Sequence, residues 1–413
     1  MAIFKPFRAY RPLPNFAKAV ASRPYDVLSS AEAKTEAAGN PHSFLRVIKP
    51  EIELNDDINQ YSDEVYQKGA EVFKRFISDG VFKQDDEACF YVYRLTMDSR
   101  QQTGLVGCCH FEEYYSGKIK KHELTRTAKE DDRVRHVDSL NANAEPVFFS
   151  YRAHDSLEMV ITEVISADPK YNFIADDGIQ HELWVIGEES LNNKVESFFL
   201  EVPALYVADG HHRTAAAARI GKKRKDLNPS HTGDEAYNFF MAVLFSDNQL
   251  KIYDYNRVIK DLNGFTALEL IGNLNDLFKL LDKSDQPIRP SKKGEFSVYL
   301  DKKWYHFTFS DQQRSDDPTK NLDVSYLSEK ILEPLFDIID QRKDERIDFV
   351  GGIRGLGELE RRVDSGEMAI AFALYPVSMD ELLEVADAGK IMPPKSTWFE
   401  PKLRSGLFVH ELD

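Results

Sequence analysis

Two adjacent histidines and an arginine sit between an apolar run and a run of alanines in YVADGHHRTAAAARI, residues 206–220. Gly210 permits a sharp turn and alanine is the strongest helix former. A strand ending near Asp209 is therefore expected to hand over to a helix whose first turn holds His211, His212, Arg213 and Thr214. That turn carries unpaired N–H groups and the positive end of the helix dipole. Cations placed there are unfavourable unless an anion joins them, so the arrangement asks for a phosphate or a carboxylate. The plainer alternative is a capped helix in which Asp209 pairs with Arg213 and the histidines are fillers.

Two other places hold matching chemistry. Pro394, Lys395, Ser396 and Thr397 in MPPKST offer a point charge and two hydroxyls suited to phosphate oxygens; a turn capping the last strand explains them equally. Arg257 in IYDYNRVI could meet a substrate carboxylate or make a plain salt bridge. RPYDVLSSAE, with Tyr25, Asp26, Ser29, Ser30 and Glu32, could close over a site, and a capped helix start accounts for it as well. Glycines 351, 352, 355 and 357 in GGIRGLGELERR precede a helix and could touch a nucleotide, but no G-x-x-x-x-G-K-[ST] loop occurs, which argues against an ordinary P-loop kinase. His136 and His181 stand beside no nucleophile or ligand set and read as structural.

These residues need a scaffold. The 413 residues exceed what one core usually holds, and 42% hydrophobic with 30% charged residues is a globular composition. A net charge of -16 argues against wrapping nucleic acid. Cys89, Cys108 and Cys109 are too few for a disulfide framework, and the vicinal pair should point to opposite faces of a strand. With no apolar signal segment in MAIFKPFRAYRPLP and no membrane-length apolar run, a cytoplasmic protein without membrane partners is expected.

Along the chain, SRPYDVLSSAEA reads as turn then helix, with Ser29 or Ser30 as N-cap, and 63–78 as a helix. Strands are expected at ACFYVYRLTM and GLVGCCHFEEYY, separated by the loop DSRQQT, then at EPVFFSYRA, LEMVITEV, HELWVIGEE and SFFLEVPALYVADG. The helix after Gly210 should end at Gly221. Beyond YNFFMAVLFSD and LKIYDYNRVI, residues 256–413 alternate helices with strands, including GEFSVYLDKKWYHFTFS. The fold class is mixed α/β (α+β).

VADGHHRTAAA resembles the signature of the ParB/sulfiredoxin-like fold, closest to its free-serine kinase branch. Lys121, His122 and Glu123 in KIKKHELTR resemble that branch's proline-histidine-glutamate loop, with Lys121 in place of the proline. The terminal stretch resembles the kinase's proline-lysine-threonine-threonine segment. RPYDVLS, KHELT, DGHHR and MPPKSTWFEPKL together resemble a larger bacterial family of unknown function. The resemblance implies an extension over 1–85, a ParB/sulfiredoxin-like catalytic core over 86–255, and an α/β subdomain over 256–413 whose tail returns to the site. It implies phosphoryl transfer between a small donor (ADP, ATP or pyrophosphate) and free L-serine or O-phosphoserine, with Glu123 as base.

In that chemistry His211, His212 and Arg213 cradle the phosphate, while Gly210, Thr214, His122, Arg257, Lys395, Ser396 and Thr397 contact substrate or phosphate. Asp209 would hold Mg²⁺ or orient a histidine. The partners implied are serine and a phosphate donor, with no nucleic acid and with a homo-oligomer left open. Phosphoserine hydrolysis by the same residues, or a ParB-like nucleotide-binding regulator without catalysis, are the alternatives. The basic run KKRKD at 222–226 is the one feature favouring a DNA-associated regulator.

Overall fold

The computed structural model describes residues 2–309 and 315–413. They form two compact units: residues up to Leu250 together with Pro401–Asp413, and Lys251–Glu400. Both mix helices with sheets, as expected of a mixed α/β chain.

In the first unit, the main sheet of the described residues runs Ile119–Lys120, Leu205–Asp209, Val147–Tyr151, Phe239–Ser246, Arg100–His110, Phe90–Met97, Gln180–Ile186 and Tyr171–Ile174. Phe4–Lys5 pairs alongside Cys108 and Cys109. Two pairings are parallel: Leu205 lies beside Ile119, and Ala242 beside Val147. The strand Leu205–Asp209 is otherwise antiparallel to Val147–Tyr151. Phe90, Phe149, Phe199, Leu205, Val207 and Leu244 share one buried cluster. A second cluster joins Tyr25, Phe44, Phe73, Phe82 and Val409, so the C-terminal tail packs in this unit, where Val409 bridges Tyr10.

Local signals place several elements where expected. Asp63–Ser78 is a helix, and Ser29 caps Ser30–Glu36 in a reciprocal box with Glu32. Cys108 and Cys109 are neighbours within one strand, and all three cysteines are buried and free.

Five expectations need correction. DSRQQT is no loop: Asp98 (φ 48) and Ser99 (φ 63) form a two-residue turn and Met97 pairs with Arg100. LEMVITEV is not a strand but part of the helix Asp155–Ile165, capped by His154. Its β-branched residues mask a spacing in which Leu157, Val160 and Ile161 share one buried face. Ser197–Phe199 likewise closes a helix, Glu189–Phe199, before the strand Leu205–Asp209 begins. FEEYY turns into a short helix, Glu112–Tyr115. Gly221 does not end its helix, which runs His211–Leu227. A Cβ there would lie 2.6 Å from the Phe111 ring and 2.9 Å from the Tyr237 carbonyl, so this glycine permits close packing, not termination.

The second unit has a sheet ordered Lys279–Ser284, Lys303–Thr308, Glu295–Leu300, Ile370–Leu374, Tyr255–Ile259 and Ile347–Gly351 among its described residues. Ser310, expected at the end of one strand, lies outside the described residues. Capping boxes open the helices Ala267–Leu277 and Met379–Asp387. Gly351 and Gly352 serve packing: a Cβ on Gly351 would meet the Trp398 ring at 2.8 Å, and one on Gly352 would strike the Asp254 carboxylate. That close fit accounts for Gly351 and Gly352, whereas a Cβ on Gly355 or Gly357 would meet nothing within 4 Å.

Candidate functional site

In the first unit the parallel strands Ile119–Lys120 and Leu205–Asp209 end side by side. Ligands of α/β sheets bind outside such carboxyl ends. The chain leaving the first strand supplies His122 and Glu123; the chain leaving the second supplies Asp209 to Thr214. Gly210 makes the turn at φ 85, a left-handed conformation that strongly favours glycine. Thr214 N–H donates to the Gly210 carbonyl at 2.9 Å, so the amides of His211, His212 and Arg213 precede the first bond of the helix.

The expected group thus assembles here, though not as a cluster of cations. His211 and His122 are buried and pack edge to face, with ring centroids 4.5 Å apart. Burial pushes the His122 pKa down to about 4, against a smaller opposing effect of Asp209. His211 is held well below the usual histidine range by burial and then by His122. Both imidazoles are neutral near pH 7, which removes most of the unfavourable charge from the helix start. The Nε2 atom of His211 is buried without a hydrogen-bond partner. Its Nδ1 lies 3.9 Å from the Glu123 carboxylate, whose side chain is 44% exposed. That separation is beyond a hydrogen bond and leaves Glu123 facing both an imidazole and solvent.

His212 anchors the loop that carries Glu123: its Nε2 accepts the Arg126 amide at 3.0 Å, which puts the ring proton of the neutral form on Nδ1. Two residues expected to bind phosphate are used inside the fold. Thr214 donates its hydroxyl to the Gly210 carbonyl at 3.0 Å. Arg213 is buried, donating through Nη1 to the Pro146 carbonyl at 2.8 Å, with Nη2 3.8 Å from Asp209. Burial opposes its charge, but Asp26, Glu145 and Asp209 outweigh burial and raise its pKa.

Sequence reasoning missed the acid behind this arginine. Glu145 is buried, and it accepts from the Tyr25 amide at 3.2 Å and from Arg133 at 3.3 Å. The Arg133 guanidinium lies 3.9 Å above the Tyr25 ring. Tyr25 thus joins Glu145 and Arg133 in one buried group, and Asp26 beside it adds to the electrostatic support of Arg213. The one local signal was a carboxylate placed directly before the apolar strand Val147–Tyr151. Lys402 was also missed; its Nζ donates to Asp209 at 3.2 Å. Asp209, expected to hold Mg²⁺ or to orient a histidine, is met here by two cations of its own chain. Burial alone would raise the Asp209 pKa, yet Lys402 and Arg213 hold it at about 2.

His136 and His181 are buried in structural contacts, with the Val47 carbonyl and the Tyr93 hydroxyl. The basic run at 222–226 is neutralised locally: Lys222 pairs with Asp226, Lys223 with Asp138, and Lys225 with Glu112.

Arg257, Lys395, Ser396 and Thr397 belong to the second unit. Arg257 Nη2 donates to the Pro394 carbonyl at 3.2 Å, so these four residues come together. Ser396 is buried, donating to the Pro393 carbonyl at 2.6 Å, while Lys395 is exposed in the left-handed region at φ 56. No described helix is long and apolar enough to cross a membrane.

Among solved structures, the chain is similar to a free serine kinase mutant in complex with AMP (15% identity, TM-score 0.33), covering 70% of this chain and 89% of that one. A conserved hypothetical protein from Pyrococcus furiosus is similar at 16% identity and TM-score 0.31, covering 70% and 91%. A C-terminally truncated SbnI from Staphylococcus aureus is similar at 10% identity and TM-score 0.37, covering 73% and 85%. No curated protein sequence matches. Residues 4–325 match a family pattern, and the chain belongs to that family, described as protein of unknown function DUF1015.

Proposed function

We propose that this chain is a phosphotransferase that moves a phosphoryl group between a small donor, ADP, ATP or pyrophosphate, and free L-serine. The observation that carries the reading is the meeting of a half-exposed Glu123 with the buried, neutral His211 where two parallel strands end. Glu123 takes the hydroxyl proton as the serine oxygen attacks phosphorus, and the donor's remaining phosphate leaves with the bonding pair. The His211 imidazole and the free amides of the first helical turn face the phosphoryl oxygens. Arg213 acts from behind, holding the turn against the Pro146 carbonyl. The motif resemblance of KHELT and DGHHR to the free-serine kinase branch supports the same assignment.

The test incubates the purified full chain with L-serine and each donor, with and without Mg²⁺, quantifies O-phosphoserine, and repeats the reaction from O-phosphoserine. Turnover that collapses in Glu123→Gln supports the proposal. Release of inorganic phosphate from O-phosphoserine alone would redefine the reaction as hydrolysis. Absence of turnover in both directions with every donor overturns it.

A further inference from the structure

Arg257 has an environment unlike that of the other buried arginines. Arg11 faces Asp85, Arg133 faces Asp132 and Glu145, Arg213 faces Asp209, Arg362 faces Asp348 and Glu367, and Arg404 faces Asp177. Arg257 is 1% exposed and has no carboxylate partner among the described residues. Its hydrogen bonds go to two neutral carbonyls: Nη1 to Tyr255, and Nη2 to Pro394 at a long 3.2 Å. Nε has no partner, as is also true of Arg213, so the missing carboxylate is what sets Arg257 apart; the Phe349 ring lies 5.4 Å from the guanidinium carbon. The nearest acid in sequence, Asp254, is already taken by Arg289 at 2.8 Å and Asn256 at 2.7 Å.

Taking a guanidinium out of water without a counter-charge is costly, and folds normally meet that cost with a carboxylate. A cation, Lys395, shares the Tyr255 side chain's surroundings. Lys395 follows the Pro394 carbonyl directly, with its Nζ 5.7 Å from the Tyr255 ring centre. Burial with no anion nearby pushes the Arg257 pKa down to about 9.

We infer that Arg257 and Lys395 form a receptor for one oxyanion, a carboxylate or a phosphate, of a small ligand. The anion accepts the unpartnered Nε–H and displaces the Pro394 carbonyl from Nη2, completing the two-bond fork that arginine offers to planar oxyanions. Lys395 adds a second positive charge at the exposed rim. Both residues belong to the second unit, and the receptor stands independently of the phosphotransfer proposal.

Calorimetric titration of the full chain with inorganic phosphate, L-serine and ethanolamine, which is L-serine without its carboxylate, tests the receptor. Phosphate or L-serine should bind and ethanolamine should not, the binding anion telling a phosphate receptor from a carboxylate receptor. Arg257→Met should weaken that binding about 10- to 100-fold, and Arg257→Lys by less. The melting temperature of Arg257→Met should stay level or rise, because an uncompensated charge has gone. If Arg257→Met does not fold, Lys395→Met at its exposed position carries the same comparison. No anion binding to the wild-type chain, or equal affinity in the variants, overturns the receptor. Anion binding that persists without any turnover counts against phosphotransfer and leaves the receptor standing.

Discussion

Arg213 and Arg257 are both buried, and the two units treat them in opposite ways. Around Arg213 the first unit gathers Asp209, Glu145 and Asp26, and the guanidinium closes onto the Pro146 carbonyl beneath Gly210. Around Arg257 the second unit places two carbonyls and an aromatic ring. A buried charge neutralised by its own chain serves architecture, since removing either partner strands the other. One left without a counter-charge is set aside for a group the chain does not contain. By that measure Arg213, expected in the phosphate cradle, is already compensated by its own chain, and Arg257 is the arginine of the proposed receptor.

The comparison can be sharpened or broken by experiment. Glu123→Gln should lower phosphoserine formation by about 10²- to 10⁴-fold, the usual span for losing a general base. Its unfolding midpoint should barely move, because the side chain is half exposed; an equal loss of stability would make Glu123 structural. Glu145→Gln should destabilise the chain by about 3–5 kcal/mol in urea unfolding, as it leaves buried arginines short of a partner. Should it prove as mild as Arg257→Met, the contrast between the two arginines fails.

Acid should also separate the units. His122, His136 and His410 are pushed by burial to about 4, against about 6.5 in the unfolded chain. Between those values the unfolded first unit binds protons that the native one refuses, so its stability falls as pH drops through the window. Asp323 in the second unit runs the other way. Burial raises it from 3.8 to about 7, with Glu381 and Glu295 adding to the rise and Lys293 opposing it. Its contribution is present at low pH and is lost as pH rises towards 7. Hydrogen exchange compared at pH 5 and pH 7, corrected for intrinsic rates, should show the strand Leu205–Asp209 loosened by acid and the region of Asp323 tightened, each on the order of a kcal/mol or more. Movement in the same direction would contradict this assignment.

The smallest effect concerns packing farther along the helix that follows the turn. Gly221→Ala should cost about 1–3 kcal/mol by crowding Phe111, despite the better helix propensity of alanine. A stabilised variant would restore the reading of Gly221 as a helix terminator.

Local chemistry made much of the chain legible. The box of Ser29 with Glu32 and the apolar spacing of Asp63–Ser78 are complete within one turn or one helix. The hand-over at Gly210 is equally local, needing only an apolar run, a glycine and alanines. Where texture and spacing disagree, as in LEMVITEV, β-branched content suggested a strand while packing on one face selected a helix.

By itself, then, the sequence determined the mixed α/β class, the helix caps, and the strand–turn–helix that presents His211. Only the tertiary structure decided that His211 and His122 are neutral, because burial acts on side chains that meet through folding. It also decided that Lys402 donates to Asp209, and that Arg213 has carboxylates beside it while Arg257 has none among the described residues. The reason is common to all three. Charge state and pairing depend on which distant residues exclude water from a site, and spacing along the chain carries no record of that exclusion.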